Sequence, residues 1–325
     1  MGELSAEQIA QRALDLNLLD DRQLQAVWGE FGSQNVGADD FLQALVRREL
    51  LTNYQVERLL KGDRSGYFYG PYKVLYRVAT GSFARVYRAV EKQSGKVVAL
   101  KVLRRRYSDD PEQTDQFYRE GNMGRSLRHP NIVPIYDVVS EGLSHYLVME
   151  FIEGHNLRQF IKIRRKLSPE EATRLMIDIA SGLSYAYERS IHHRDLKLTN
   201  VLVSSRGQAK LVDFGLAGIE DAGDEDANPR TIDYAGLERA TGVRRDDNRS
   251  DVYFMGCIYY NMLTGVPPLQ ETKDRIQRLS RQRYLEVVPI QQHEPSLPRA
   301  VRTIVEKAMQ LDVAERYPTP GEMYV

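Results

Sequence analysis

The sequence predicts an α+β fold in which a small all-α domain precedes a β-rich segment that gives way to a helix-rich one. Three observations carry this reading: a helical pattern that repeats within the first 60 or so residues, a switch near residue 72 to short alternating β-branched runs, and a capped amphipathic helix opening at Ser168.

Bulk properties bound the function. A chain of 325 residues, 42% of them hydrophobic, can bury full cores and should form two or three compact units. Lys+Arg and Asp+Glu each number 45, so there is no overall basic excess and nucleic acid is not an expected partner. Cys257 is the only cysteine, which excludes an intrachain disulfide and a cysteine zinc site and fits a reducing compartment. The histidines, the pair His192 and His193 included, lack metal-site spacing. The start MGELSAEQIA has neither a basic nor an apolar leader region, Ala6 replaces the Ser or Thr of a myristoylation signal, and no apolar run spans a bilayer. A cytoplasmic protein is expected.

The first segment repeats with a period of about 32 residues: Leu18-Leu19-Asp20-Asp21-Arg22-Gln23-Leu24 aligns with Leu50-Leu51-Thr52-Asn53-Tyr54-Gln55-Val56. Asp20 and Thr52 stand as N-caps, so two helical hairpins are expected to form a four-helix domain over 1–64, each covering the other's apolar face. It is either a stabilising extension or a docking module for a partner protein. The Gly- and aromatic-rich stretch 65–71 reads as a linker. Strands are then expected over Lys73–Ala79, Arg85–Glu91 and Lys96–Leu103, and Ser168-Pro169-Glu170-Glu171 is a capping box with Pro at the first helical position.

Several motifs stand in a fixed order. Val98-Ala99-Leu100-Lys101 lies on the third expected strand, and Glu120 on the helix after it, ahead of His129-Pro130-Asn131. His193-Arg194-Asp195-Leu196-Lys197-Leu198-Thr199-Asn200 matches H-R-D-L-x-x-x-N, and Asp213-Phe214-Gly215 follows one hairpin later. From residue 72 to the end the chain resembles the eukaryotic-like (Hanks-type) protein serine/threonine kinases of bacteria, whose motifs these are. The resemblance implies a bilobal kinase fold over 72–325, use of ATP with magnesium or manganese, and protein substrates. It gives Asp195 the role of accepting the attacking hydroxyl's proton, Lys197 a place by the transferring phosphate, Lys101 and Glu120 the phosphate-holding ion pair, and Asn200 and Asp213 the metal. Lys197 resembles serine/threonine rather than tyrosine kinases. Ala79, Gly81, Val86, Ala99, Glu150, Ile152, Asn156 and Leu202 match nucleotide-contact positions. Asp251 matches the aspartate that braces the catalytic loop, Glu238 and Arg316 an ion pair tying the activation segment down, and Thr231 and Tyr234 the peptide-binding element.

The departures carry expectations too. The nucleotide loop keeps one of its three glycines, with Ala79 and Ala84 at the others, so weaker ATP binding is expected. A-P-E is Gly236-Leu237-Glu238, and Gly124 leaves a gap in the stack of Ile135, His193 and Phe214 that Met123 is expected to fill. Between Asp213 and Thr231 no Ser, Thr or Tyr occurs, whereas Glu220, Asp221, Asp224, Glu225 and Asp226 do; a carboxylate there is expected to stand in for an activating phosphate beside Arg194. The family's last helix is only starting at Val325, so a longer protein, with a membrane anchor or sensor beyond, stays open. Two rival readings are a pseudokinase scaffold that binds nucleotide and partner proteins, and a small-molecule phosphotransferase. H-R-D-L-K and the long segment before Glu238 disfavour the latter.

Overall fold

The structure is a computed structural model that describes residues 4–32, 36–214, 229–242, 247–272 and 274–324, with the backbone alone at 229–231 and 324. The acidic stretch 220–226, Gly215 and the Thr231 side chain therefore lie outside the described residues. The expected order holds: an all-helical region, then a sheet, then helices. Contacts divide the chain into two compact units, the first reaching Thr114 and taking in Asp137–Phe151, the second made of Asp115–Tyr136 and Ile152–Val325.

In the first unit, helices α1 (Ala6–Asp15), α2 (Asp21–Phe31), α3 (Ala38–Arg47) and α4 (Asn53–Lys61) form the expected hairpins. Asp20 and Thr52 each accept from the amide three residues on, Gln23 and Gln55, whose side chains bond back to the cap amides. One core of Ile9, Ala13, Leu24, Val27, Phe41, Leu45 and Leu59 joins the two copies. The sheet runs β1-β2-β3-β4-β6-β5, with β1 at Phe68–Tyr69, β2 at Tyr72–Thr80, β3 at Ala84–Glu91, β4 at Val97–Leu103, β5 at Ile135–Glu141 and β6 at Ser144–Glu150. The aromatics of the 65–71 stretch are packed: Tyr67 is buried with the helical core and Phe68–Tyr69 pairs with β2.

The repeat is bonded to β2. The Lys73 ammonium donates to Leu18 O (3.0 Å) and Leu50 O (3.4 Å), carbonyls at equivalent places in the two copies. Gln55 Nε2 donates to Val74 O (2.6 Å) and Thr52 Oγ1 to Leu75 O (2.5 Å), so the second copy's cap residues also hold the strand.

In the second unit, α5 (Pro111–Ser126) enters from the first, and α6 (Leu157–Arg164), α7 (Pro169–Tyr187) and α9 (Arg249–Thr264) build the core. Helix α9 is buried on nearly every face, as a central helix must be. Cys257 lies within it, packed against the core, and burial pushes its thiol pKa up. Ser168 caps α7 by accepting from Glu171 N (3.2 Å), but the Glu171 carboxylate turns to Arg164 (3.2 Å), so the expected capping box is one-sided. A small sheet of β7 (Gly154–Asn156), β8 (Val201–Ser204) and β9 (Ala209–Leu211) flanks the loop 193–200, and α8 (Pro229–Thr241), α10 (Arg275–Leu279), α11 (Gln282–Leu285), α12 (Ile290–His293), α13 (Arg299–Ala308) and α14 (Pro320–Tyr324) complete the unit.

Candidate active site

The motif residues fall on both units, and each half has its own geometry. In the first, Ala79 pairs with Val86, Val86 with Lys101 and Lys101 with Leu147, one row across four strands. Cross-strand partners and residues two apart share a face, so Ala79, Val86, Ala99 and Lys101 all look to one side of the sheet. Lys101 is buried there, and Val98 pairs with Glu150. The glycine-poor turn is closed by Gly81 N to Ala84 O (2.9 Å). It is also held from outside, by Arg104 Nη1 on Gly81 O (3.3 Å), Arg106 Nη2 on Ser82 O (2.8 Å) and the Phe83 ring against Tyr107 (5.2 Å between centroids). Sequence reading missed these two arginines; the only available signal was a basic run straight after a strand.

In the second unit the loop 193–200 is fixed bond by bond. Asp195 is 3% exposed; its carboxylate accepts from Lys197 Nζ (2.9 and 3.2 Å) and from Asn200 Nδ2 (2.8 Å), which also donates to Asp195 O (2.9 Å). His193, fully buried, accepts the Asp195 amide at Nδ1 (3.3 Å), so Nε2 carries the proton and donates to Val212 O (3.0 Å). Asp251 braces the loop by accepting the amides of His193 (3.0 Å) and Arg194 (3.1 Å). Arg194 and Asp213 adopt left-handed backbone, φ 55° and 63°, a conformation that costs a non-glycine residue about 1–3 kcal/mol and gathers at functional sites. Asn156 caps α6 through Gln159 N (2.9 Å) and pairs with Leu202 in the small sheet, Ile152 precedes that sheet's first strand by two residues, and Glu120, on α5, is buried.

Three expectations are corrected. The gap at Gly124 is closed by Ile135, whose Cδ1 lies 2.6 Å from where a Cβ would stand, while Met123 is exposed. His193 and Phe214 do stack, at 4.7 Å between centroids. Among the described residues no ion pair joins Glu238 to Arg316: the buried Arg316 guanidinium donates to Gln310 O and Arg249 O (2.5 and 3.0 Å) and sits over the Tyr253 ring, and burial lowers its pKa to about 10. Tyr234 is buried, not offered to a peptide: its hydroxyl donates to Asp251 (2.8 Å) and accepts the Leu196 amide (3.0 Å). Burial, then the Asp251 carboxylate, push that phenol far above its usual pKa, so it stays a donor.

For a divalent cation, both Nδ2 protons of Asn200 go to Asp195, leaving its Oδ1 as an acceptor, and Asp213 adds a carboxylate. Hard oxygens of this kind fit magnesium, which takes one or two protein ligands and completes its shell with phosphate and water.

A sheet bearing a buried lysine, followed by a helical unit bearing an aspartate–lysine–asparagine cluster, is a combination characteristic of nucleotide-dependent phosphotransferases. The chain belongs to the protein kinase family: residues 72–323 match the protein kinase domain model. It is 33% identical over 257 residues to the serine/threonine-protein kinase PrkC of Bacillus subtilis, covering 78% of this chain and 39% of that protein. It is 33% identical over 254 residues to the serine/threonine-protein kinase PknB of Mycobacterium tuberculosis (75% and 40%), and equally so over 268 residues to a probable serine/threonine-protein kinase PknB of Bifidobacterium longum (78% and 38%). The chain thus spans roughly two fifths of the length of the curated relatives it matches. Kinases of this family use ATP with a divalent metal and act on proteins.

Proposed function

We propose that this chain is an ATP-dependent protein serine/threonine kinase. The observation that supports it most is the buried Asp195 carboxylate, held by Lys197 and Asn200 on a loop that Asp251 braces. In this reading a substrate hydroxyl attacks the γ-phosphorus, a new P–O bond forms as the bond to ADP breaks, and Asp195 takes the hydroxyl proton. Lys197 places its positive charge where the transferring phosphoryl group carries negative charge. Lys101 holds the α- and β-phosphates, with Glu120 in the role of its counter-charge; Val86, Ala99 and Leu202 enclose the adenine, and the main chains of Glu150 and Ile152 face its edge. Ala79, Gly81 and Asn156 border the nucleotide. Asn200 and Asp213 would hold Mg2+ or Mn2+, and the ion would neutralise the phosphates' charge.

The four hydrogen bonds from Lys73, Gln55 and Thr52 favour the helical repeat as an extension of the sheet over a docking module. The lone cysteine fits the cytoplasm, and among the described residues no helix is long and apolar enough to cross a membrane. The test is incubation with γ-labelled ATP, with and without a general protein substrate. Phosphoserine or phosphothreonine that disappears in Asp195→Asn, with ATP affinity retained, is the expected result. Nucleotide binding without transfer in wild type would mean a scaffold instead.

A further inference from the structure

Asp233 is a charged residue whose place the kinase motifs do not explain. It stands on α8 and its carboxylate is gripped from the facing helices: Arg278 donates through Nε to Oδ1 (2.9 Å) and through Nη2 to Oδ2 (2.5 Å), and Arg283 Nη1 donates to Oδ1 (2.6 Å). A fourth bond runs from Tyr284 Oη to Asp233 O (2.7 Å). The partners are largely shielded, with Arg278 16%, Arg283 10% and Asp233 25% exposed at the side chain, so this is not a solvated surface pair of small worth. Burial pushes the Asp233 carboxyl up, and the guanidinium bonds outweigh it and hold the pKa below the ordinary range.

The next residue looks elsewhere. Successive helical side chains diverge by about 100°, so as Asp233 faces α10 and α11, Tyr234 faces the catalytic loop. Its ring stacks on Phe254 (4.2 Å) and its hydroxyl joins Asp251 to the amide of Leu196, the residue after Asp195. The two anchors together fix the rotation of α8 about its axis. One turn on, Gly236 lets the helices approach: a Cβ there would lie 2.6 Å from Arg278 O and 2.7 Å from Tyr284 Oη.

We infer that the Asp233–Arg278–Arg283 cluster is a positioning device, which locks α8 to α10 and α11 and so holds Tyr234 against the backbone beside Asp195. The catalytic loop then takes part of its order from helices that carry no kinase motif. The device uses a carboxylate of the chain itself, so the brace is permanent and needs no modification of any residue between Asp213 and Thr231. Asp233 acts through Tyr234, not on the nucleotide. The inference rests on the kinase reading for its effect on rate but not for its effect on the loop.

A double-mutant cycle with two readouts tests it, on the full chain. Asp233→Asn is expected to lower kcat about tenfold, equivalent to about 1.4 kcal/mol of transition-state free energy, with ATP affinity unchanged. Tyr234→Phe should do the same, and the double variant should be no worse than either. Independently of activity, hydrogen exchange of the peptide containing the Leu196 amide should quicken in Asp233→Asn to the rate in Tyr234→Phe. Should Asp233→Asn fail to fold, Arg283→Gln, which keeps both Arg278 bonds, should show the same pattern at smaller size, and Asp233→Glu should recover part of the loss. Additive losses, a parallel fall in ATP affinity, or unaltered exchange at Leu196 would overturn the inference. If the wild type transfers no phosphate, the kinase reading fails while the exchange result still decides this one.

Discussion

Restoring a residue of the family's own motif is expected to damage this protein. Gly236 occupies the first position of A-P-E, and Gly236→Ala would bring its new methyl to 2.6 Å from Arg278 O, 2.7 Å from Tyr284 Oη and 3.4 Å from Leu279 Cα. Two of these are backbone atoms of α10, and Tyr284 is 3% exposed with its hydroxyl bonded to Asp233 O. None can yield alone, so α8 and α10 must part. Overpacking of this kind costs about 1–3 kcal/mol, here toward the upper end because two of the three contacts are backbone, and the gain from replacing glycine in a helix offsets roughly 1 of it, leaving a net loss of up to about 2 kcal/mol. Gly124→Ala is the control. It offers the same helical gain, and its single close contact is Ile135 Cδ1 at 2.6 Å, the far end of a flexible side chain that can turn aside. Its net change should lie near zero. Urea unfolding of the three proteins measures this as midpoint shifts at constant m. A Gly236→Ala protein as stable as wild type, or a Gly124→Ala protein that suffers more, would refute the packing argument.

Two further outcomes follow from charges set in place by the fold. Lys73→Met removes the donor shared by Leu18 O and Leu50 O; carbonyls left unpaired cost about 1–3 kcal/mol, but the ammonium's own pKa is lowered by burial and by Lys92, so relief of its desolvation should bring the loss to about 1 kcal/mol by chemical denaturation. An unchanged midpoint would show that the repeat does not depend on this bond. Because the folded-state pKa of Asp233 is depressed, its contribution to stability is present in full above the unfolded value of about 3.9 and is lost as pH falls through the lower folded value. The stability gap between wild type and Asp233→Asn should therefore be constant from pH 5 to 7, within the roughly neutral range, and close below about pH 4; a gap that persists at lower pH would place its origin outside the carboxylate's charge.

What was legible in the sequence depended on the range of the interaction. The caps at Asp20 and Thr52 act over three residues, and a local pattern suffices to find them. The hydrogen-bond network of Asp195, Lys197 and Asn200 is equally local, closing within a span of six residues on a loop whose spacing is its signature. The misjudged positions depend on partners outside their own motif. Gly124 read as a gap because Ile135, the group that fills it, comes from another element. Arg316 read as the mate of Glu238 because a pairwise motif carries no account of the carbonyls at Arg249 and Gln310 that compete for its guanidinium. Asp233 showed no signal at all, since nothing in its neighbours announces two arginines 45 and 50 residues on. A motif records chemistry shared by a family. The groups that hold the motif-bearing segments in place, such as Tyr234 on the catalytic loop and Arg106 on the turn at 81–84, lie outside the motifs themselves, and only the packing of distant segments reveals them.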